Sequence, residues 1–200
     1  MVALNSLPVG REANVLLRIV AITGMPGAGK STAAQALVRL GWTRVVMGDV
    51  IRAETMRRGL EPDAKNTGEV MNLLRKERGE SAVADLCLET MARMNTERVV
   101  VDGIRSMAEV EAFRRAADVL LVAVDASPER RFELLKERGR KDDPLTFEMF
   151  AERDKREIAV GISRAIALAD ETVSNEHASP DRLAAEISKV VEGWEKRGPT

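Results

Sequence analysis

An α/β fold, with a parallel sheet covered by helices on both faces, is the architecture this sequence predicts, and three observations predict it. Continuous apolar runs such as Val99-Val100-Val101 and Val119-Leu120-Leu121-Val122-Ala123-Val124 read as strands buried on both sides. Helical patterns separate these runs, giving a βαβα order rather than a bundle. The first run, Ile19-Val20-Ala21-Ile22-Thr23, leads into a glycine-rich octapeptide and then into Thr32-Ala33-Ala34-Gln35-Ala36-Leu37-Val38, which favours a helix.

Strands are expected at 19–23, 44–47, 99–101 and 119–124, with a weaker fifth at 171–174, making a three-layer α/β/α body around a five-stranded parallel sheet. Ser127-Pro128-Glu129 and Ser179-Pro180-Asp181 each start a helix, with serine at the N-cap, proline at N1 and an acid in the first turn. In the last helix Leu183, Ile187, Val190, Val191 and Trp194 form one apolar stripe for docking on the sheet. Two intervals are too long to be simple crossovers. The first, about residues 50–95, carries the helical patterns Val70-Leu73-Leu74 and Val83-Leu86-Cys87-Met91-Met94, with breaks near Gly59-Leu60-Glu61-Pro62 and at Gly79. Its methionines and Cys87 lie on the stripe and read as core filling. The second, about residues 138–156, opens with Arg138-Gly139-Arg140-Lys141-Asp142-Asp143-Pro144 and reads as a short lid. Two hundred residues fit one body carrying these insertions, with residues 1–14 as a loosely held leader.

Composition narrows the function classes. With 31 basic and 32 acidic residues the net charge is −1, so no global field favours generic nucleic-acid binding. Cys87 is the single cysteine, and nothing resembles a metal-binding cluster or an export signal, so a reducing cytoplasm is the expected compartment. No apolar run approaches the roughly 20 residues needed to span a bilayer, and no membrane partner is expected. The one histidine, His177, lies in a polar loop and reads as a surface residue.

The octapeptide Gly24-Met25-Pro26-Gly27-Ala28-Gly29-Lys30-Ser31 fits the spacing G-x-x-x-x-G-K-S of a phosphate-binding loop, between the strand and helix its mechanism needs. Glycines let backbone N–H groups turn toward anionic oxygens, Lys30 supplies charge to the β and γ phosphates, and Ser31 offers a hydroxyl to Mg²⁺. The following helix, from Thr32, directs its N-terminal dipole to the same place. The fold expected is therefore that of a P-loop NTPase with ATP and Mg²⁺ as cofactors. Val101 is followed by Asp102, which puts a carboxylate at the sheet's carboxyl edge as a metal-side acid. Asp49 and Arg52 close the second strand, and Arg105 follows Asp102, so two guanidiniums could converge on an acceptor phosphate. Of the lid arginines Arg138, Arg140, Arg153 and Arg156, Arg140 and Arg153 are expected to close over the triphosphate.

These residues resemble the P-loop small-molecule kinases over nearly the whole chain after the leader. Gly48-Asp49-Val50-Ile51-Arg52 resembles the G-D-x-x-R of adenylate kinases, and Asp102-Gly103-Ile104-Arg105 resembles their D-G-F-P-R, one residue shorter. The resemblance implies that Arg52 and Arg105 contact the acceptor phosphate and that Asp102 serves magnesium. Gly139-Arg140-Lys141-Asp142-Asp143 is similar to the G-R-x-D-D of short-lid nucleoside monophosphate kinases. Ala169-Asp170-Glu171-Thr172-Val173-Ser174-Asn175 is similar to the A-D-x-x-I-x-N of dephospho-CoA kinases and implies that Asn175 touches the donor base. Taken together, the motifs most resemble an archaeal group of predicted nucleotide kinases.

The expected fold is thus nucleoside monophosphate kinase-like, with the first insertion as an acceptor-binding cap. The leading expectation for function is transfer of the γ-phosphoryl group of ATP to a nucleoside monophosphate, with AMP implied by the adenylate-kinase motifs. Lys30, Asp102, Arg140 and Arg153 would act on the transfer, and Asp49, Arg52 and Arg105 would hold the acceptor. A second expectation is transfer to a hydroxyl, as in dephospho-CoA kinases, with Asp49 or Asp102 accepting the proton. A third is a nucleotide switch or ATPase acting on a macromolecular partner.

Overall fold

The computed structural model describes residues 17–140 and 143–198; the leader expected at 1–14, and Lys141 and Asp142 of the lid motif, lie outside the described residues. Five strands, β1 (Arg18–Thr23), β2 (Thr43–Val46), β3 (Arg98–Asp102), β4 (Asp118–Asp125) and β5 (Glu171–Ser174), form one sheet in the order β2-β3-β1-β4-β5. Every pairing is parallel, with Ile22 beside Asp102 on one side and beside Val122 on the other. The helices are α1 (Lys30–Arg39), α2 (Met47–Arg57), α3 (Ala64–Arg78), α4 (Ala82–Ala92), α5 (Met107–Ala116), α6 (Pro128–Arg138), α7 (Phe147–Val160), α8 (Ile162–Ala167) and α9 (Pro180–Arg197).

Alternate residues of the central strands β3, β1 and β4 serve opposite cores, which is why those runs are apolar, whereas the edge strands β2 and β5 carry polar residues and bury one residue each. Val20, Ile22, Val100, Leu120 and Val122 pack with Ala33, Leu37, Leu183, Ile187, Val191 and Trp194 of α1 and α9. Ile19, Ala21, Val99, Val101 and Leu121 face the other way, onto Leu74, Cys87, Val110, Phe113 and Ala165. Burial raises the Cys87 thiol to about 12, with the Glu109 carboxylate adding to the rise, so the residue is an inert filler of that core. Leu73 departs from the expected stripe: it is exposed, and Val70 and Leu74 alone make the buried edge of α3.

The second strand ends at Val46, and Met47, read from the sequence as its last residue, is instead the first residue of α2. The helix therefore starts two residues earlier than a start at Asp49 and brings Gly48 and Asp49 into its first turn. Helices α2, α3 and α4 fill most of the interval between β2 and β3. Helices α6 and α7 are joined by an aromatic cluster of Phe132, Phe147 and Phe150, with ring centroids 5.4–5.6 Å apart.

Adjacent strands β1 and β3 send their chains to opposite sides of the sheet, β1 toward β2 and β3 toward β4. Such a divergence opens a crevice beyond the strands' carboxyl ends, and the loops after β1 and β3 line it. The backbone N–H groups of Gly103 and Ile104 donate to Ile22 O at 3.3 and 3.1 Å, and Thr23 Oγ1 donates to Ile104 O at 3.1 Å, fixing the two loops to each other.

Within the α2–α3 hairpin, buried Glu54 accepts from Arg57 Nε and Nη2 at 2.6 and 2.8 Å and from Arg58 Nε at 2.8 Å. Hydrogen bonding from Arg57, reinforced by Arg58 and opposed by burial, lowers this carboxyl from 4.5 to about 2. Its stabilisation is present above the unfolded value of 4.5 and is lost as pH falls through the folded value near 2. Urea unfolding should show that Glu54→Gln is less stable than the parent at pH 7, and that this gap narrows from pH 4.5 toward pH 2. A gap that does not change over that range would contradict the paired carboxylate.

Candidate functional site

The loop after β1 is held so closely that its glycines leave no room for a side chain. Gly27 has φ +83°, and a Cβ there would lie 2.6 Å from Arg131 O and 2.8 Å from Leu135 Cγ. Gly29 has φ +104°, and its Cβ would meet Asn175 Nδ2 at 2.5 Å. Both require a residue without a Cβ in left-handed backbone, packed against α6 on one side and the β5–α9 loop on the other. Arg131 Nη1 donates to Pro26 O at 3.1 Å while a two-point ion pair with Asp154 fixes its guanidinium. Asn175 Nδ2 donates to Ala28 O at 2.9 Å, and Ala28 N donates to Met25 O at 3.1 Å. Thr32 N and Ala33 N donate to Gly29 O at 3.0 and 3.1 Å, so the N–H groups that precede them at the head of α1 are those of Lys30 and Ser31, both residues of the cleft floor.

A cleft of about 530 Å³ lies above this loop. Pro26, Gly27, Gly29, Lys30, Ser31 and Thr32 floor it; Gly103, Ile104 and Arg105 come from the β3 side; Arg138, Arg153 and Glu157 come from α6 and α7. Asn175 also lines it, but its side chain is buried and its amide is bonded to the loop, so what the geometry shows is a prop for residues 28 and 29. Lys30 Nζ donates to Gly24 O at 2.6 Å and to Met25 O at 3.0 Å. Burial lowers the Lys30 ammonium from 10.5 to about 8; Asp102 and Glu157 oppose the shift, and Arg105 and Arg153 add to it.

Ser31 Oγ donates to Asp102 Oδ2 at 3.2 Å, which brings a hydroxyl and a carboxylate together at the foot of the cleft. Two hard oxygen ligands beside a phosphate site fit Mg²⁺, which keeps several waters and rarely takes an all-protein cage. The same Oδ2 accepts from Arg44 Nη2 of β2. Sequence reasoning missed Arg44; a lone arginine inside the strand run Thr43-Arg44-Val45-Val46 is the signal that could have found it.

Arg105 lines the cleft, where its Nε is 3.1 Å from Glu157 Oε2. Its loop is fixed by Glu109, whose Oε2 accepts from Arg105 N at 2.7 Å and Ser106 N at 3.1 Å in a capping box with Ser106. Arg75 of α3 lies 3.7 Å from the other Glu109 oxygen, so the helical insertion touches the loop's anchor. Burial raises the Glu109 carboxyl despite these bonds.

Arg52 and Asp49 are not among the residues lining the cleft. They pair with each other on α2, both largely exposed, and the Arg52 guanidinium lies over Gly48, 3.4 Å from where its Cβ would be. A Cβ at Gly103 would lie 3.9 Å from Met47 Cβ, so the start of α2 neighbours the loop after β3. Asp49 instead lines a second groove of about 820 Å³ with Arg44, Val50, Arg57, Leu86 and Arg93.

On the lid side, buried Asp143 gathers Arg138, through Nε at 2.9 Å, Arg153 at 3.6 Å and the Arg140 backbone N–H at 2.9 Å. Burial raises the Asp143 carboxyl, but the Arg138 and Arg140 bonds outweigh it and the net direction is downward. Arg138 and Arg153 reach the cleft, Arg140 is exposed beyond the cleft wall, and Arg156 is exposed on α7. Glu157, one turn after Arg153 on the same helix face, is a cleft-lining acid that sequence reading did not single out.

Two measurements follow from the loop's geometry. Asn175→Ala removes the donor to the buried Ala28 carbonyl, so thermal unfolding should register a loss of about 1–3 kcal/mol, together with weaker binding of a nonhydrolysable ATP analogue. Unchanged analogue affinity would show that the prop is dispensable. A bound triphosphate favours charged Lys30 and raises its proton affinity, so analogue affinity should be flat below pH 7 and weaken as pH rises through about 8. Affinity that stays constant from pH 7 to 9.5 would contradict the lowered ammonium.

No helix among the described residues is long and apolar enough to cross a membrane. A family model described as an AAA domain matches residues 23–149. The UPF0200 protein TK1334 of Thermococcus kodakarensis is 43% identical over 179 residues, covering 87% of this chain and 96% of that protein. The UPF0200 protein MJ1399 of Methanocaldococcus jannaschii is 46% identical over 167 residues, covering 82% of this chain and 85% of that protein. Among solved structures, TT1252 from Thermus thermophilus superposes with a TM-score of 0.62 at 19% identity, covering 88% of this chain and 98% of that one. A shikimate kinase from Bacteroides thetaiotaomicron gives 0.57 at 19% identity, covering 90% and 99%. At that identity the likeness is one of fold, and it is the P-loop kinase-like fold. From the loop, the parallel sheet and the archaeal relatives together, the chain belongs to the UPF0200 family and carries its nucleotide-binding loop within an AAA domain.

Proposed function

We propose that this protein is an ATP- and Mg²⁺-dependent phosphotransferase that moves the γ-phosphoryl group to a nucleoside monophosphate, with AMP the first acceptor to test. One observation carries the reading: Lys30, Arg105 and Arg153 face a single cleft floored by residues 26–32, with Asp102 beside Ser31 at its foot. Phosphoryl transfer asks for little covalent help and much alignment and charge stabilisation, and this arrangement supplies both.

In this mechanism the backbone of residues 24–31 and Lys30 hold the donor phosphates. Ser31 and Asp102 would hold Mg²⁺, which supplies charge neutralisation on the phosphate oxygens. Arg105 holds the acceptor phosphate, with Arg52 at the neighbouring helix start available to it as α2 moves. Arg153 and Arg138 reach over the transferring group from the lid, and Arg140 joins them on closure. The acceptor already carries an ionised phosphate, so no strong general base is needed. Helices α2–α4 form the acceptor-binding cap in this reading, and the chain around α7 forms the lid.

Transfer to a hydroxyl would call on Asp49 or Asp102 as base; Asp49 is absent from the cleft lining and paired with Arg52, and Asp102 already accepts from Ser31 and Arg44. That placement supports a phosphate-bearing acceptor.

Incubation with ATP, Mg²⁺ and a monophosphate panel should yield diphosphates, and Lys30→Met should lower turnover by about a hundredfold or more. Arg105→Ala should raise the KM for the monophosphate about tenfold, with a smaller effect on ATP. No diphosphate from any monophosphate, or turnover of dephospho-CoA lost selectively in Asp49→Asn, would reject the assignment.

A further inference from the structure

Lys30, Arg105, Arg130, Arg138 and Arg153 line the cleft together with the acids Glu137 and Glu157, Asp102 stands at its foot, and the proposed transfer gives neither lining acid a part. Lys30 and Arg153 meet the donor, Arg105 meets the acceptor, and Asp102 serves the metal side. Of the two lining acids, Glu157 is the one paired with Arg105. Its carboxylate is 15% exposed, lines the cleft, and puts Oε2 3.1 Å from Arg105 Nε. Arg105, by contrast, is 45% exposed and open to a ligand. The acid is held in place from behind: Arg153 and Asp154 lie on the same α7 face, Asp154 bonds Arg131, and Phe150 packs against Phe132 of α6.

An acid in this position works against any phosphate that approaches Arg105, because two anions on one guanidinium repel at contact distance. It also makes a contact that a phosphate oxygen would make, since carboxylates and phosphates use the same guanidinium donors.

We propose that Glu157 stands in for the acceptor phosphate on Arg105 until an acceptor binds, so that only a ligand of phosphate-like charge takes its place. The inference rests on the reading that Arg105 receives the acceptor phosphate. Glu157 is then a specificity-determining residue: a neutral acceptor group gains too little from Arg105 to displace a carboxylate, whereas a phosphate dianion displaces it. The same pair keeps Arg105 neutralised until an acceptor arrives.

The test is calorimetric binding of inorganic phosphate and of AMP to the full chain at pH 7.5, which needs no turnover. Glu157→Gln should bind both about tenfold more tightly than the parent, and the gain should vanish in Glu157→Gln/Arg105→Ala. A merely structural Arg105–Glu157 pair predicts the opposite, because breaking it would loosen α7 and weaken binding. Unchanged or weaker binding in Glu157→Gln, or a gain that survives loss of Arg105, overturns the proposal; thermal unfolding checks that each variant is folded, and Glu157→Ser repeats the test if Glu157→Gln is not. The two readings fail separately: tighter binding without diphosphate formation rejects the kinase assignment alone, and diphosphate formation without tighter binding rejects the stand-in alone.

Discussion

Close approach of α6 and the β5–α9 loop to residues 27–29 is the constraint on which the rest of this structure depends. A single added carbon at Gly27 or Gly29 would fall within 2.6 Å of a fixed neighbour, so the loop's shape is set by what surrounds it as much as by its own sequence. Arg131 and Asn175 complete that enclosure by bonding the carbonyls of Pro26 and Ala28. With those carbonyls bonded to protein donors and the Ala28 N–H bonded to Met25 O, the loop is held in one shape under the cleft, as a preformed anion site requires.

Charge in the cleft follows from that geometry. The Lys30 ammonium is bonded to two loop carbonyls in a buried setting that favours its neutral form, and Asp102 and Glu157 are what keep it charged near neutral pH. Arg105 depends in turn on Glu109, a buried acid that anchors the loop from behind and is reached by Arg75 of the helical insertion. A ligand entering between the loops after β1 and β3 therefore meets cations whose positions are fixed by α3, α5 and α7, so the cap and lid helices bear directly on how the cleft presents its charge.

The centre of the sheet was readable from sequence because β1, β3 and β4, buried on both faces, carry apolar runs; the edge strands β2 and β5 bury one residue each and give a weaker signal, and all five expected strands overlap observed ones. Boundaries were less legible: Met47 is as apolar as a strand residue should be, and it is buried in the core as the first residue of α2 just as it would be at a strand end. The glycine-rich loop was legible because its spacing and its strand-helix setting follow from one mechanism. Arg44 and Glu157 were not, since each is a charged residue among many, and only the fold brings Arg44 to Asp102 and Glu157 to Arg105. Asn175 lies 147 residues along the chain from Ala28, and it follows β5, whose pairing with β4 carries it to the loop.

The most direct measurement is a crystal structure with Mg²⁺ and a nonhydrolysable ATP analogue. The account predicts β and γ phosphates seated against residues 24–31, Lys30 Nζ moved from the Gly24 and Met25 carbonyls onto phosphate oxygens, and Ser31 and Asp102 at the metal. An analogue bound elsewhere, with Lys30 still on those two carbonyls, would contradict it.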